Sequence, residues 1–208
     1  MKINPNIWKR QKESYIKRNV AVKDQRCIFL IFCEGERTEP NYFKKFKIDR
    51  RFIRVFGTAT NTVSLVKKAI QEVKNAKKED IIYDQVWCVF DKDDFLDANF
   101  NNAISKATAN KIRVAYSNEA FELWYILHFD YLDSAISRAQ YIPILSAKLG
   151  KKYEKNSETI YEELLSKQKD AIRNAKRLYA EKNNTANPSK SKPCTTVFML
   201  VEELNKHL

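Results

Sequence analysis

Three carboxylates fall within four positions at Asp91-Lys92-Asp93-Asp94. Residues two apart on an extended chain point the same way, so Asp91 and Asp93 aim at one point. Two bare carboxylates about 5 Å apart repel by roughly 3 kcal/mol at an effective dielectric of 20, a penalty that a divalent cation removes. Mg²⁺ suits such a pair, because it takes one or two carboxylates and completes its shell with water and substrate phosphates. Mn²⁺ shares the preference for carboxylate oxygen. Asp94 can add to the ligand set, and Lys92 is a secondary candidate between the acids. The alternative is a solvated acidic turn, since Asp is a common turn residue.

A second acid stands in an equivalent place. Glu34 directly follows Cys27 to Cys33, and Asp91 directly follows Val86 to Phe90. Both runs are unbroken, apolar and rich in β-branched and aromatic residues, which reads as strands buried on both faces. Open α/β sheets bind ligands at the C-terminal ends of such strands. If the two strands are adjacent and parallel, Glu34, Asp91 and Asp93 reach one metal, and Glu34 becomes a candidate ligand or general base. Asn118 and Glu122, near the end of a later strand, are secondary candidates. An acid in a first helical turn also needs no functional reason.

The elements that must position these residues alternate. Strands are expected at 27–33, 52–56, 86–90 and 112–116, with helices after Gly35, after Asn61 or Thr62, near 97–109 and from Asn118 through His128. Thr38, Asn118 and Thr195 or Thr196 are read as helix caps. This alternation predicts an α/β fold, a parallel sheet with helices on both faces. A basic arm occupies 1–26, the α/β core 27–130 and a helical C-terminal region 131–208, with helices at 141–149, 157–182 and after 196.

A net charge of +12 points to a polyanionic partner, nucleic acid before membrane. Candidate phosphate contacts are the patch Lys148, Lys151, Lys152 and Lys155, and the stripe Lys169, Arg173, Lys176 and Arg177, in which acids are nearly missing. The arm carries eight Lys or Arg against Glu13 and Asp24, as a solvated tail or a nucleic-acid-binding segment. With only Gly35, Gly57 and Gly150, the chain can build neither a Walker A loop nor a dinucleotide-binding Gly-x-Gly-x-x-Gly. Cys27, Cys33, Cys88 and Cys194 show no Cys-x-x-Cys spacing and read as reduced thiols of a cytoplasmic protein. No secretory segment and no run long enough to span a bilayer is present in the sequence.

With these residues in hand, the chain resembles the RloB family, a Toprim-type family. The resemblance is carried by Phe32-Cys33-Glu34-Gly35-Glu36 with Thr38-Glu39, by Val89-Phe90-Asp91-Lys92-Asp93-Asp94, and by Ser117-Asn118 with Phe121-Glu122-Leu123-Trp124 and Leu127-His128-Phe129. Weaker echoes are Tyr153 to Lys155 and Asn187-Pro188 leading to Thr195-Thr196-Val197. The resemblance implies a Toprim-like fold, Glu34 as catalytic glutamate, Asp91 and Asp93 as a Mg²⁺-binding pair, and a metal-dependent nuclease acting on DNA or RNA, tRNA included. It also implies a place in bacterial anti-phage defence, beside an ABC-type ATPase partner. Two departures stand out. Glu119 occupies a position where the family often has proline, which leaves Glu122 the better candidate, and the stretch 187–197 is lengthened by Lys-rich residues. The competing expectations are a Toprim-shaped binding module without catalysis, and a haloacid-dehalogenase-type phosphatase with Asp91 as nucleophile. The latter leaves Glu34 unexplained and has Phe95 where its motif wants Thr or Val.

Overall fold

The computed structural model describes residues 27–92, 96–182 and 187–208. The N-terminal arm, Asp93 and Asp94 lie outside the described residues.

The apolar runs become strands: β1 (Phe29–Cys33), β2 (Ile53–Gly57), β3 (Gln85–Asp91) and β4 (Arg113–Asn118). They form one sheet in the order β2-β1-β3-β4-β5, parallel except for β5 (Cys194–Thr195), which runs antiparallel to β4. Between them run α1 (Thr38–Phe43), α2 (Thr62–Lys78) and α3 (Asp97–Ala109). After β4 come α4 (Glu122–Ile126), α5 (Arg138–Leu149), α6 (Ile160–Leu164), α7 (Gln168–Lys182) and α8 (Val197–Asn205).

The alternation of side chains along each strand explains why the runs are unbroken. Leu30, Phe32, Val86, Cys88 and Phe90 pack with Leu65, Val66 and Ala69 of α2 and Phe100, Ala103 and Ala107 of α3. Phe29, Ile31, Cys33, Trp87 and Val89 face the other way, into a larger core with α1, α4 and the C-terminal helices. Both faces are therefore covered, as a parallel sheet requires. Truncating Ile31, which is fully buried, to Ala would cost about 2–5 kcal/mol.

Several expectations need correction. Arg37, not Thr38, holds the cap position of α1, and the Thr38 hydroxyl instead reaches Asn156 Oδ1 at 3.3 Å. Asn61 does cap α2, accepting the Ser64 N–H at 2.9 Å. Asn118 is no cap. It ends β4, and its amide donates to the carbonyls of Pro188 (3.2 Å) and Ser189 (3.0 Å), so the following helix starts only at Glu122. The helix expected over 157–182 is broken by a 3₁₀ turn at Leu165–Lys167 into α6 and α7. The C-terminal region is also not purely helical. Thr195 belongs to β5, while Thr196 does hold the cap position of α8, although its hydroxyl accepts the Tyr116 N–H at 2.8 Å instead of an N–H of the helix.

Candidate active site

Because β1 and β3 are neighbours in register, with Cys33 beside Val89, the chain leaves both at the same edge of the sheet. Glu34 is held there from two sides. Its Oε1 accepts the Thr62 hydroxyl at 3.0 Å, and its Oε2 accepts the Asp91 N–H at 3.4 Å. The first bond ties the glutamate to the opening turn of α2, and the second ties it to the end of β3.

Asp91 is buried and points toward the start of α4. Its Oδ2 accepts the Phe121 N–H at 3.0 Å, while its Oδ1 is buried without a hydrogen-bond partner. Burial first, then the charges of Glu39 and Glu122, push its carboxyl well above the usual carboxylate range, against the Phe121 hydrogen bond and Arg138. A buried acid in this state is costly by itself and becomes favourable once a cation or a proton joins it.

Two more carboxylates complete the group. Glu122 is 3 % exposed and meets Lys155 Nζ at 3.6 Å. Glu39, on α1, is 5 % exposed, and its Oε1 accepts the Gly35 N–H at 3.4 Å. Desolvation raises its carboxyl, helped by the charge of Glu122 and opposed by backbone hydrogen bonds and Lys155. Gly35 makes this placement possible, since a Cβ there would stand 2.1 Å from Glu39 Oε2. The four acids line a cavity of about 350 Å³, together with Arg138 and Lys155. Burial, followed by the charges of Glu119, Asp91 and Glu122, pushes the Tyr141 phenol far up, and burial followed by those of Glu122, Glu39 and Asp91 does the same to Tyr153.

All the donors are hard oxygens, and one of them is an orphaned buried Asp91 oxygen, which fits Mg²⁺ or Mn²⁺. Among the described residues no group of three or more His, Cys, Asp and Glu side chains forms a ready-made metal cage. A cation held by one or two carboxylates, water and substrate phosphate needs no such cage.

The sequence-predicted residues thus divide. Glu34, Asp91 and Glu122 come together, while Asp93 and Asp94 lie outside the described residues. Lys92 stands just past the strand end, its ammonium 3.2 Å from Asp97. Asn118 turns to the Pro188–Ser189 backbone. Glu119 pairs with Lys192 at 2.6 Å, away from the role left to Glu122. Lys155 lines the acid cavity and also an outer groove shared with Lys151 and Lys152; Lys148 pairs with Asp130 and Lys151 with Glu163 at 2.8 Å, and Lys152 is exposed. The α7 stripe is not short of acids. Arg173 meets Asp170 (2.7 Å), Arg177 meets Glu181 (2.9 Å), and Lys176 meets Glu202 of α8 (2.6 Å), while Lys169 is exposed. Reading one helix face in isolation hid both the flanking acids and the one supplied by a neighbouring helix.

Sequence reasoning gave Glu39 no role of its own. The signal for it was available: Glu39, Tyr42, Phe43 and Phe46 share one helical stripe, and an acid on an otherwise apolar stripe needs a buried purpose.

A family model described as RloB-like protein matches residues 29–204. No curated protein and no solved structure matches the chain. Among the described residues, no helix is long and apolar enough to cross a membrane.

Proposed function

The chain belongs to the RloB-like protein family, and on that premise we propose that it is a divalent-metal-dependent nuclease cleaving phosphodiester bonds of DNA or RNA. The observation that carries this reading is the convergence of Glu34, Glu39, Asp91 and Glu122 on one cavity at the sheet edge, with Asp91 Oδ1 buried and unpartnered.

Asp91 and Glu34 are the residues that would hold Mg²⁺ or Mn²⁺, with Asp93 as the further ligand that the resemblance implies. When bound, the cation would supply an activated water or neutralise charge on the leaving oxygen. The protein's own groups do the rest. Thr62 and the Asp91 N–H fix the Glu34 carboxylate, which suits it to take or return a proton at Oε2. Arg138 and Lys155 line the cavity beside the acids and suit the non-bridging oxygens of a phosphodiester. The aromatic floor beneath them, Phe121 against Tyr42 and Tyr125, keeps water out from below.

Glu34 sits between the Asp91 backbone and α2, which favours this reading over a phosphatase that uses Asp91 alone as nucleophile. A role in anti-phage defence and an ABC-type ATPase partner belong to the same proposal through the resemblance. The test is a cleavage assay on duplex DNA, single-stranded DNA and structured RNA in Mg²⁺ and in Mn²⁺, for wild type, Glu34→Gln and Asp91→Asn. Metal-dependent cleavage that is lost in both variants supports the proposal. Cleavage by Asp91→Asn at the wild-type rate defeats it, and a trapped phosphoenzyme would favour the phosphatase instead.

A further inference from the structure

The solvent face of α2 is a track of lysines that starts beside the cavity. At about 100° per residue, Lys67, Lys68, Gln71, Lys74, Asn75 and Lys78 fall within an arc of about 120°. All six are exposed, while Leu65, Val66, Ala69 and Ala76 on the far side of the helix are buried. Beyond the half-buried Ser64 in the first turn, the face holds only amines and amides, and the Gln71 amide donates to Asn75 Oδ1 at 2.8 Å. Glu72, the helix's own acid, falls outside the arc. Among the described residues, none of the four lysines forms an ion pair.

That distinguishes α2 from the basic helix α7, where Arg173, Lys176 and Arg177 are neutralised by Asp170, Glu202 and Glu181. A solvated charge run ordinarily says little. Here a second observation adds direction. The cap residue Asn61 lines the cavity, and Thr62 in the first turn holds Glu34. The helix that fixes the catalytic glutamate is therefore the one whose outer face is basic.

We infer that this face of α2 docks the phosphate backbone of a nucleic-acid duplex and leads it to the carboxylate cavity. Lys67 to Lys78 spans eleven helical steps, about 16 Å of helix, which matches about five base pairs at 3.4 Å per step along one strand. Ammonium groups on flexible stems contact phosphates without reading bases, so the docking is sequence-independent. The inference rests on the nuclease reading for what the docked duplex is positioned to undergo, while the docking can be measured without cleavage.

The experiment is fluorescence anisotropy of a labelled 20-base-pair DNA duplex in EDTA, titrated with salt. Wild type is compared with the variant Lys67→Gln, Lys68→Gln, Lys74→Gln, Lys78→Gln and with a control, Arg173→Gln, Lys176→Gln. Removing four phosphate contacts should reduce the slope of log K against log salt by about 3.6. Affinity should fall at least tenfold, whereas the α7 control stays within twofold. Arginine at the same four positions should restore binding. Circular dichroism checks the fold, and the paired variants Lys67→Gln, Lys68→Gln and Lys74→Gln, Lys78→Gln should each take away about half of the slope if the fourfold change is poorly tolerated. An unchanged slope, equal losses from α2 and α7, or a wild type that does not bind duplex overturns the inference. A wild type that binds through α2 yet cleaves nothing in Mg²⁺ or Mn²⁺ leaves the docking face standing and removes the nuclease.

Discussion

Asp91→Asn should make the metal-free protein more stable while abolishing its response to metal. The amide is nearly isosteric. Its oxygen can keep the hydrogen bond from the Phe121 N–H, now 3.0 Å long. Its NH₂ then takes the place of Oδ1, the buried oxygen that has no partner, and a neutral amide removes the repulsion from the Glu39 and Glu122 charges. Leaving a buried acceptor unsatisfied costs about 1–3 kcal/mol, so the variant should gain about that much. For a domain of this size each kcal/mol moves Tm by about 2–4 °C. Metal works in the opposite sense. At 100 times its Kd a cation adds about 2.7 kcal/mol to wild type, or roughly 5–10 °C, and the variant should show almost none of it. Differential scanning calorimetry of both proteins, in EDTA and across a Mg²⁺ titration, reads all four states. A variant that melts at or below metal-free wild type, or one that keeps the full metal shift, refutes the reasoning.

The two sheet-edge glycines should differ when changed to alanine. At Gly57 a Cβ would stand 2.4 Å from the Glu36 carbonyl oxygen, a backbone atom that cannot step aside, so Gly57→Ala should cost several kcal/mol in urea melts, of the order of ~3. At Gly35 the obstacle is the flexible end of Glu39, so Gly35→Ala should lose only about 1 kcal/mol but displace the Glu39 carboxyl and depress metal-dependent cleavage. His128 is buried, its Nδ1–H donates to the Trp124 carbonyl at 2.9 Å, and burial lowers its pKa to about 4 from 6.5. Between those values the unfolded chain binds the extra proton, so wild type should lose up to about 3 kcal/mol relative to His128→Gln as pH falls from 6.5 to 4; parallel pH profiles of the stability difference would show this window absent if the imidazole were solvated. Lys155→Met should raise KM for a nucleic-acid substrate more than it lowers Tm, because its 43 % exposed side chain contributes little packing.

The sheet was legible because its signal is local. Runs such as Phe29-Leu30-Ile31-Phe32 cannot be satisfied by a one-sided surface strand, so two covered faces followed directly from the sequence. Glu34 and Asp91 were legible for the same reason, as the residues at which such runs stop. What escaped depends on distant partners. Two residues, Cys194 and Thr195, carry no periodicity, and their strand exists only because β4 offers an edge. Asn118 has the chemistry of a cap but spends it on carbonyls seventy positions away. Asp170 and Glu181 could have been read from α7 itself, but Glu202, which neutralises Lys176, comes from α8, and no reading of one helix could supply it.

The pairing of β4 with β5 also bears on how the protein is made. Ser117 and Thr195 share a hydroxyl contact of 3.0 Å across 78 residues of chain. At a synthesis rate of about 5–20 residues per second, the edge of β4 waits roughly 4–16 s for its partner. During that interval the strand end that leads into Phe121 and Glu122 has an open edge, which invites wrong pairing. The late strand closes on the residue beside Asp91, since Ser117 pairs with Asp91 on one side and with Thr195 on the other. A partly synthesised chain would therefore carry Asp91 on a sheet whose far edge is not yet closed.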